Sequence, residues 1–136
     1  MRAGGVLETV LYADDLDAAE RFYEDVLGLE KVHRHPERQV FFRAGYAMLL
    51  IFNPAATTIP PREGELPIPP HGATGPGHVC FRATAEELAA WRDHLTDAGI
   101  EIESEVDWPK GGRSIYFRDP AGNSLEFAEP QIWGIE

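Results

Sequence analysis

A chain of 136 residues has the length of one ordinary domain and is long enough to bury a core, and its 43% hydrophobic and 26% charged residues are the balance of a globular protein. The net charge of -11 excludes nucleic acid and anionic membrane surfaces as partners, because both demand clustered Lys and Arg. A single cysteine, Cys80, excludes an internal disulfide framework, and the opening MRAGGVLETVLYADD has no long apolar stretch ahead of its first acids, so neither a signal peptide nor a membrane anchor is expected and the expected setting is cytoplasmic.

Val6 to Ala13 is rich in β-formers, with Leu7, Thr9, Leu11 and Ala13 on one face and Val6, Glu8, Val10 and Tyr12 on the other. Glu8 is a charge within an otherwise apolar strand. Asp14 and Asp15 offer an N-cap for a helix from about Leu16 to Leu27, whose apolar face is Leu16, Ala19, Phe22, Tyr23, Val26 and Leu27, with Gly28 as its stop. Extended segments follow at about Glu30 to His35, Gln39 to Arg43 and Tyr46 to Phe52, the last two joined by a tight turn at Ala44-Gly45. From 53 to 76, seven prolines and several glycines exclude regular structure, which marks either a linker or a functional loop.

The first pattern then returns. Gly77 to Ala83 alternates, with Val79 and Phe81 on one face and His78, Cys80 and Arg82 on the other. Thr84 to Glu87 reads as a capping box opening a helix that carries Leu88, Trp91, Leu95 and Ala98 on its apolar face and stops at Gly99. Extended segments are expected at Ile100 to Val106, Arg113 to Arg118 and Asn123 to Ala128, and the tail with Trp133 is expected to pack on the surface. Between the last two strands, Asp119-Pro120-Ala121-Gly122-Asn123 has the composition of a turn. Leu125 and Phe127 share one strand face, so Glu126 points the other way, toward solvent or into a cavity.

The chain therefore reads as two β-α-β-β-β modules, about 5–52 and about 77–130, joined by the Pro-rich connection 53–76. The fold class expected is α+β, with helices on the outer faces and paired, curved mixed sheets forming a concave cavity. Glu8 and His78, at matching places in the two modules, fall on the concave side.

Three stretches, YADDLDAAERFYEDVLGLE, GPGHVCFRA and YFRDPAGNSLEF, together resemble the vicinal oxygen chelate superfamily, which includes glyoxalases, extradiol dioxygenases and bleomycin-resistance proteins. The resemblance covers the whole chain apart from the Pro-rich connection and implies a single domain of this fold, a small-molecule substrate and a homodimer. It implies no one reaction, since the fold hosts several chemistries. In metal-dependent members the ligands stand on the first and last strands of each module. Matched by motif, these places hold Glu8 (usually His), His78 and Glu126. The last strand of the first module has no carboxylate or imidazole, so the fourth ligand of glyoxalase I has no counterpart.

A Glu-His-Glu set suits a divalent Mn, Fe, Co, Ni or Zn ion, with Glu8 and Glu126 as the catalytic carboxylates. The resemblance thus implies a metal-dependent enzyme of glyoxalase-like lyase or isomerase type, ranked above ring-cleaving dioxygenase chemistry because the extradiol pattern prefers two histidines. The alternative is a metal-free drug or antibiotic binder of the bleomycin-resistance kind, in which Glu8 lines a pocket and His78 is a hydrogen-bonded strand histidine. Tyr12, Tyr46, Arg82, Trp108 and Tyr116 are further pocket candidates. Lys110 and Arg113 flank two glycines in a flexible turn that reads as either a dock for an anionic substrate group or a solvated tip. His71 reads as a substrate contact, a loop-borne base or a turn histidine. His33, His35 and His94 read as surface residues.

Overall fold

The computed structural model describes residues Met1–Glu136, which divide into two compact units, Met1–Gly75 and Pro76–Glu136. The fold is α+β, with one four-stranded mixed sheet in each unit. No helix is long and apolar enough to cross a membrane.

In the first unit the strands are β1 (Glu8–Tyr12), β2 (Glu30–His35), β3 (Gln39–Ala44) and β4 (Ala47–Phe52), in the order β1-β4-β3-β2. β1 runs parallel to β4, while β3 and β2 add in antiparallel fashion. The helix α1 (Leu16–Arg21) opens where the Asp15 carboxylate accepts the Ala18 N–H, satisfying one of its orphan donors. One face of the sheet, with Leu11, Val40, Phe42, Leu49 and Ile51, is buried together with Leu16, Ala19, Phe22, Tyr23 and Leu27. Tyr23, fully buried, meets Phe42 at 5.5 Å between ring centroids.

Three expectations for this unit need correction. The segment Leu16 to Leu27 is not one α-helix: α1 gives way to a π-helical turn, Phe22–Val26, in which the Leu27 N–H bonds back to the Phe22 carbonyl at 3.2 Å. The widened turn accommodates the consecutive Phe22 and Tyr23 with both rings inside. Leu7 stays 74% exposed because the strand begins one residue later and only the Leu7 carbonyl joins it, accepting from Met48. Within 53–76 there is one regular turn, α2 (Pro54–Thr57), capped by the Asn53 side chain and with Pro54 at its first position, where a missing N–H costs nothing.

The second unit repeats the plan with β5 (His78–Arg82), α3 (Ala85–Asp97), β6 (Ser104–Asp107), β7 (Arg113–Arg118) and β8 (Ser124–Ala128), in the sheet order β5-β8-β7-β6. β5 and β8 are parallel. The capping box is complete: Glu87 N–H donates to Thr84 Oγ1 and Thr84 N–H to the Glu87 carboxylate. Leu88 and Leu95 are buried, and Trp91 stacks on Phe127 at 4.3 Å. Ala98 is exposed, since it is already the C-cap, and Gly99 takes the left-handed conformation (φ +75°) that ends the helix. β6 is shorter than expected, as the segment before Ser104 contributes only the Glu103 N–H to the Tyr116 carbonyl. The tail forms a 3-10 turn, Pro130–Trp133, that leaves Trp133 79% exposed rather than packed.

The β7–β8 turn is fastened from inside. Asp119 and Asn123 are 4% and 2% exposed. Asp119 Oδ1 accepts the Asn123 N–H and Oδ2 accepts its side-chain amide, both at 2.9 Å, while Asn123 Oδ1 accepts the Gly77 N–H at 2.8 Å. Gly122 supplies the positive φ that the turn requires. One buried amide thus ties the turn to the start of β5 and fixes the register that pairs Cys80 with Glu126. Asn123→Ala removes the acceptor of the Gly77 N–H and the amide donor to Asp119 Oδ2 while keeping the backbone bond to Oδ1, and is expected to cost about 2 kcal/mol in urea unfolding. A loss below about 0.5 kcal/mol would contradict the assigned role.

Candidate functional site

The sheet of the second unit turns Phe81, Phe117, Leu125 and Phe127 to the α3 side, so the alternate residues share the opposite face. Two cross-strand rows organise that face. One is Cys80, Glu126 and Tyr116, and its neighbour is His78, Ser124 and Arg118. Glu126 is at the centre, only 5% exposed.

Glu126 Oε2 lies 3.2 Å from His78 Nε2. The other oxygen, Oε1, is buried without a hydrogen-bond partner. A native core pairs nearly all its polar atoms, so an orphaned carboxylate oxygen points to a group that the site is built to receive. The histidine is oriented to match. His78 Nδ1 lies 2.9 Å from the Ser124 carbonyl, which can only accept, so Nδ1 donates there and Nε2 is the nitrogen turned to Glu126, free to give its lone pair to a cation that lies between it and the carboxylate. A second nitrogen held by a backbone carbonyl is how metal-binding imidazoles are usually oriented. Half of the His78 side chain is exposed, which leaves room for a further donor. This pair therefore fits one nitrogen and one oxygen ligand of a divalent ion.

The residues flanking Glu126 respond to its charge. Desolvation, and then the Glu126 carboxylate, push the Cys80 thiol up to about 12 although the residue as a whole is exposed. The Tyr116 phenol is raised by desolvation first and Glu126 second. Tyr116 also stacks on the His78 ring, with centroids 6.3 Å apart and planes 23° off parallel.

Glu8 belongs to the first unit, exposed at the head of β1 opposite Met48, the register place that His78 occupies opposite Ser124. The counterpart of Glu126 in this unit is Leu50, which is buried. Neither unit by itself gathers three His, Cys, Asp or Glu side chains at one point. In the first unit the sheet brings Tyr12 to His71, 59 residues away: the Tyr12 hydroxyl and His71 Nδ1 share a 2.6 Å hydrogen bond. His71 is edge-on to Phe52 at 4.8 Å, Phe52 meets Phe41, and Phe41 meets His33. The Pro-rich segment thereby lays an imidazole on an aromatic strip.

The turn carrying Lys110 and Arg113 is less free than its glycines suggest. A Cβ on Gly112 would stand 2.6 Å from the Ile132 side chain, and one on Gly111 2.8 Å from Gln131, so the tail closes against the turn. Arg113 is engaged by Glu129, through its backbone N–H at 2.9 Å and its guanidinium at 3.6 Å. Trp108 donates to Ser114 and Tyr46 points into solvent, 108% exposed at the β3–β4 turn. Sequence reasoning missed Ser124, which acts through its carbonyl and so carries no side-chain signal. It also missed Phe41 and Phe52, whose spacing marks only a strand.

Residues 5–127 match the family model described as the glyoxalase/bleomycin resistance protein/dioxygenase superfamily. Among solved structures, lactoylglutathione lyase from Agrobacterium tumefaciens is 46% identical, with a TM-score of 0.95 over 99% of this chain and 100% of that one. A virulence protein from Salmonella typhimurium is 26% identical, with a TM-score of 0.70 over 95% of this chain and 98% of that one. A glyoxalase/bleomycin resistance protein/dioxygenase from Nocardioides, 24% identical with a TM-score of 0.72 over 95% of this chain and 85% of that one, is alike in fold.

A thiol pushed up to about 12 supplies little thiolate at pH 8, whatever its exposure. Alkylation of Cys80 by iodoacetamide at that pH is expected to run ~100-fold or more slower than that of a free cysteine. Glu126→Gln removes one of the two causes and should restore part of the rate. Labelling at the free-cysteine rate in the unmutated protein would contradict this electrostatic picture.

Proposed function

The chain belongs to the glyoxalase/bleomycin resistance protein/dioxygenase superfamily, and on that footing we propose that it is a divalent-metal-dependent enzyme of glyoxalase-like lyase or isomerase type, acting on a small substrate with adjacent oxygens. The observation that carries the reading is the His78–Glu126 pair: Nε2 facing Oε2 at 3.2 Å, Nδ1 held by the Ser124 carbonyl, and Oε1 buried with no partner. His78 and Glu126 would hold the ion, with Glu8 as third ligand by its matching place on β1. Mn, Fe, Co, Ni and Zn all suit this donor set. When bound, such an ion is a Lewis acid that stabilises negative charge developing on substrate oxygen.

The protein's own groups have distinct tasks. Ser124 keeps the proton on His78 Nδ1 and so keeps Nε2 a donor of electrons. Glu126 Oε1 and the Glu8 carboxylate are the atoms proposed to take and return the substrate proton. Tyr12 and His71 are proposed to contact the substrate as a hydrogen-bonded pair, and Tyr116 to contact it beside Glu126. Lys110 is the cation proposed to meet an anionic substrate group, with Arg113 joining if it exchanges Glu129 for that group. Similarity to the Agrobacterium lactoylglutathione lyase supports lyase or isomerase chemistry over oxygenation, although Leu50 stands at the place of the fourth glyoxalase I ligand. A homodimer and a cytoplasmic setting complete the proposal.

A second reading, a metal-free small-molecule binder of the bleomycin-resistance kind, is favoured by the aromatic strip His33–Phe41–Phe52–His71–Tyr12. Metal content separates the two. Protein purified without added metal is expected to hold about one first-row ion per chain, and Glu126→Ala to weaken binding by ~100-fold or more. Metal-free protein that rejects added Zn, Mn, Fe, Co and Ni yet binds a planar aromatic ligand would establish the second reading instead. Assays of the loaded protein for lactoylglutathione lyase activity and for oxygen uptake with a catechol then decide between the enzymatic classes.

A further inference from the structure

The imidazole of His78 is engaged at Nδ1 by a carbonyl, at Nε2 by a carboxylate and over its plane by an aromatic ring. The Ser124 carbonyl fixes Nδ1, but a single hydrogen bond leaves the ring free to swing about the N–O axis. Half of the side chain is exposed, so general packing does not stop that motion. Two contacts oppose it: the Glu126 carboxylate 3.2 Å from Nε2, and the phenol ring of Tyr116, lying 23° from parallel with the imidazole at 6.3 Å between centroids. That separation lies within the range of an offset-stacked aromatic pair.

Backbone register makes the contact possible. Tyr116 sits directly across β7–β8 from Glu126, and His78 sits across β5–β8 from Ser124, two residues earlier on β8. The phenol and the imidazole thus approach Glu126 from its two sides. The contact spans β8, so the two ring side chains lean toward each other over that strand from β7 and β5. Tyr116 is half-buried, so it is anchored well enough to act as a wall while leaving one edge of the site open.

We propose that Tyr116 is a positioning residue, whose ring, stacked on His78, holds Nε2 toward Glu126 and so preorganises the metal-binding pair. This goes beyond a substrate contact and rests on the metal reading above for its effect on affinity. Its effect on the ring itself does not depend on any metal.

The test uses three proteins, wild type, Tyr116→Phe and Tyr116→Ala, and two readouts. The first is the Zn dissociation constant, obtained by competition with a chromophoric chelator. Tyr116→Ala is expected to bind Zn ~10- to 100-fold more weakly, as losses of ligand-orienting partners usually do. Tyr116→Phe, which keeps the ring, should return to within about threefold of wild type. The second readout is the imidazole nitrogen spectrum of His78 in metal-free protein. Wild type and Tyr116→Phe should show one sharp Nδ1 resonance, hydrogen-bonded to the Ser124 carbonyl, and Tyr116→Ala a broadened or split one. Equal Zn affinities in all three proteins would overturn the proposal, as would a Phe variant as weak as Ala, which would transfer the role to the hydroxyl. Were wild type to bind no Zn, the metal reading would fail. An unchanged His78 spectrum in Tyr116→Ala would then overturn the positioning role separately, and a broadened or split resonance would support it.

Discussion

A carboxylate with one oxygen buried and unpaired is the constraint on which the second unit turns. Leaving a charged acceptor without a partner costs on the order of 1–3 kcal/mol or more, which folds tolerate mainly where function requires it. Around Glu126 the cost is contained by local devices. His78 faces Oε2, Ser124 orients His78, and the Asp119–Asn123–Gly77 network fixes the strand register that sets Glu126 between Cys80 and Tyr116. The buried Oε1 makes no well-formed hydrogen bond, although the Cys80 thiol and the Tyr116 phenol stand beside the carboxylate, and so it is the part that argues for a ligand.

The two units share a plan and diverge in chemistry. Each has its first strand parallel to its last, a helix between the first two strands and an ionisable side chain, Glu8 or His78, at the head of the first strand. Yet the central place of the last strand is Glu126 in one and Leu50 in the other. The second unit therefore carries the electrostatics, with two flanking acids raised by burial and by Glu126. The first carries an aromatic surface that the Pro-rich segment crosses with His71.

Much of this was legible in the sequence where the signal is local. Thr84 and Glu87, three residues apart, form the capping box they spell, and the alternation of Leu125, Glu126 and Phe127 put Glu126 on the face it occupies. The repeat of β-α-β-β-β, read from periodicity, sufficed for the fold class. What was not legible depends on contacts between distant residues. Tyr12 and His71 are joined across a proline-rich stretch whose path no periodicity describes. The engagement of Arg113 by Glu129 requires the tail to fold back on Gly111 and Gly112. The π-helical turn at Phe22–Val26 arises from the need to bury two consecutive aromatics, which a 3.6-residue reading smooths over. The cap at Asn53 was masked by the surrounding prolines, although Asn followed by Pro is itself a helix start.

The central claim, that Glu126 and His78 are two ligands of one metal ion, is tested most directly by diffraction at the absorption edge of a first-row metal from crystals of the loaded protein. The account predicts an anomalous peak within coordination distance of both His78 Nε2 and a Glu126 oxygen, with the Ser124 carbonyl still on Nδ1. Loaded crystals in which the metal lies elsewhere, and in which Oε1 of Glu126 is satisfied by a protein group or an ordinary water, would contradict it.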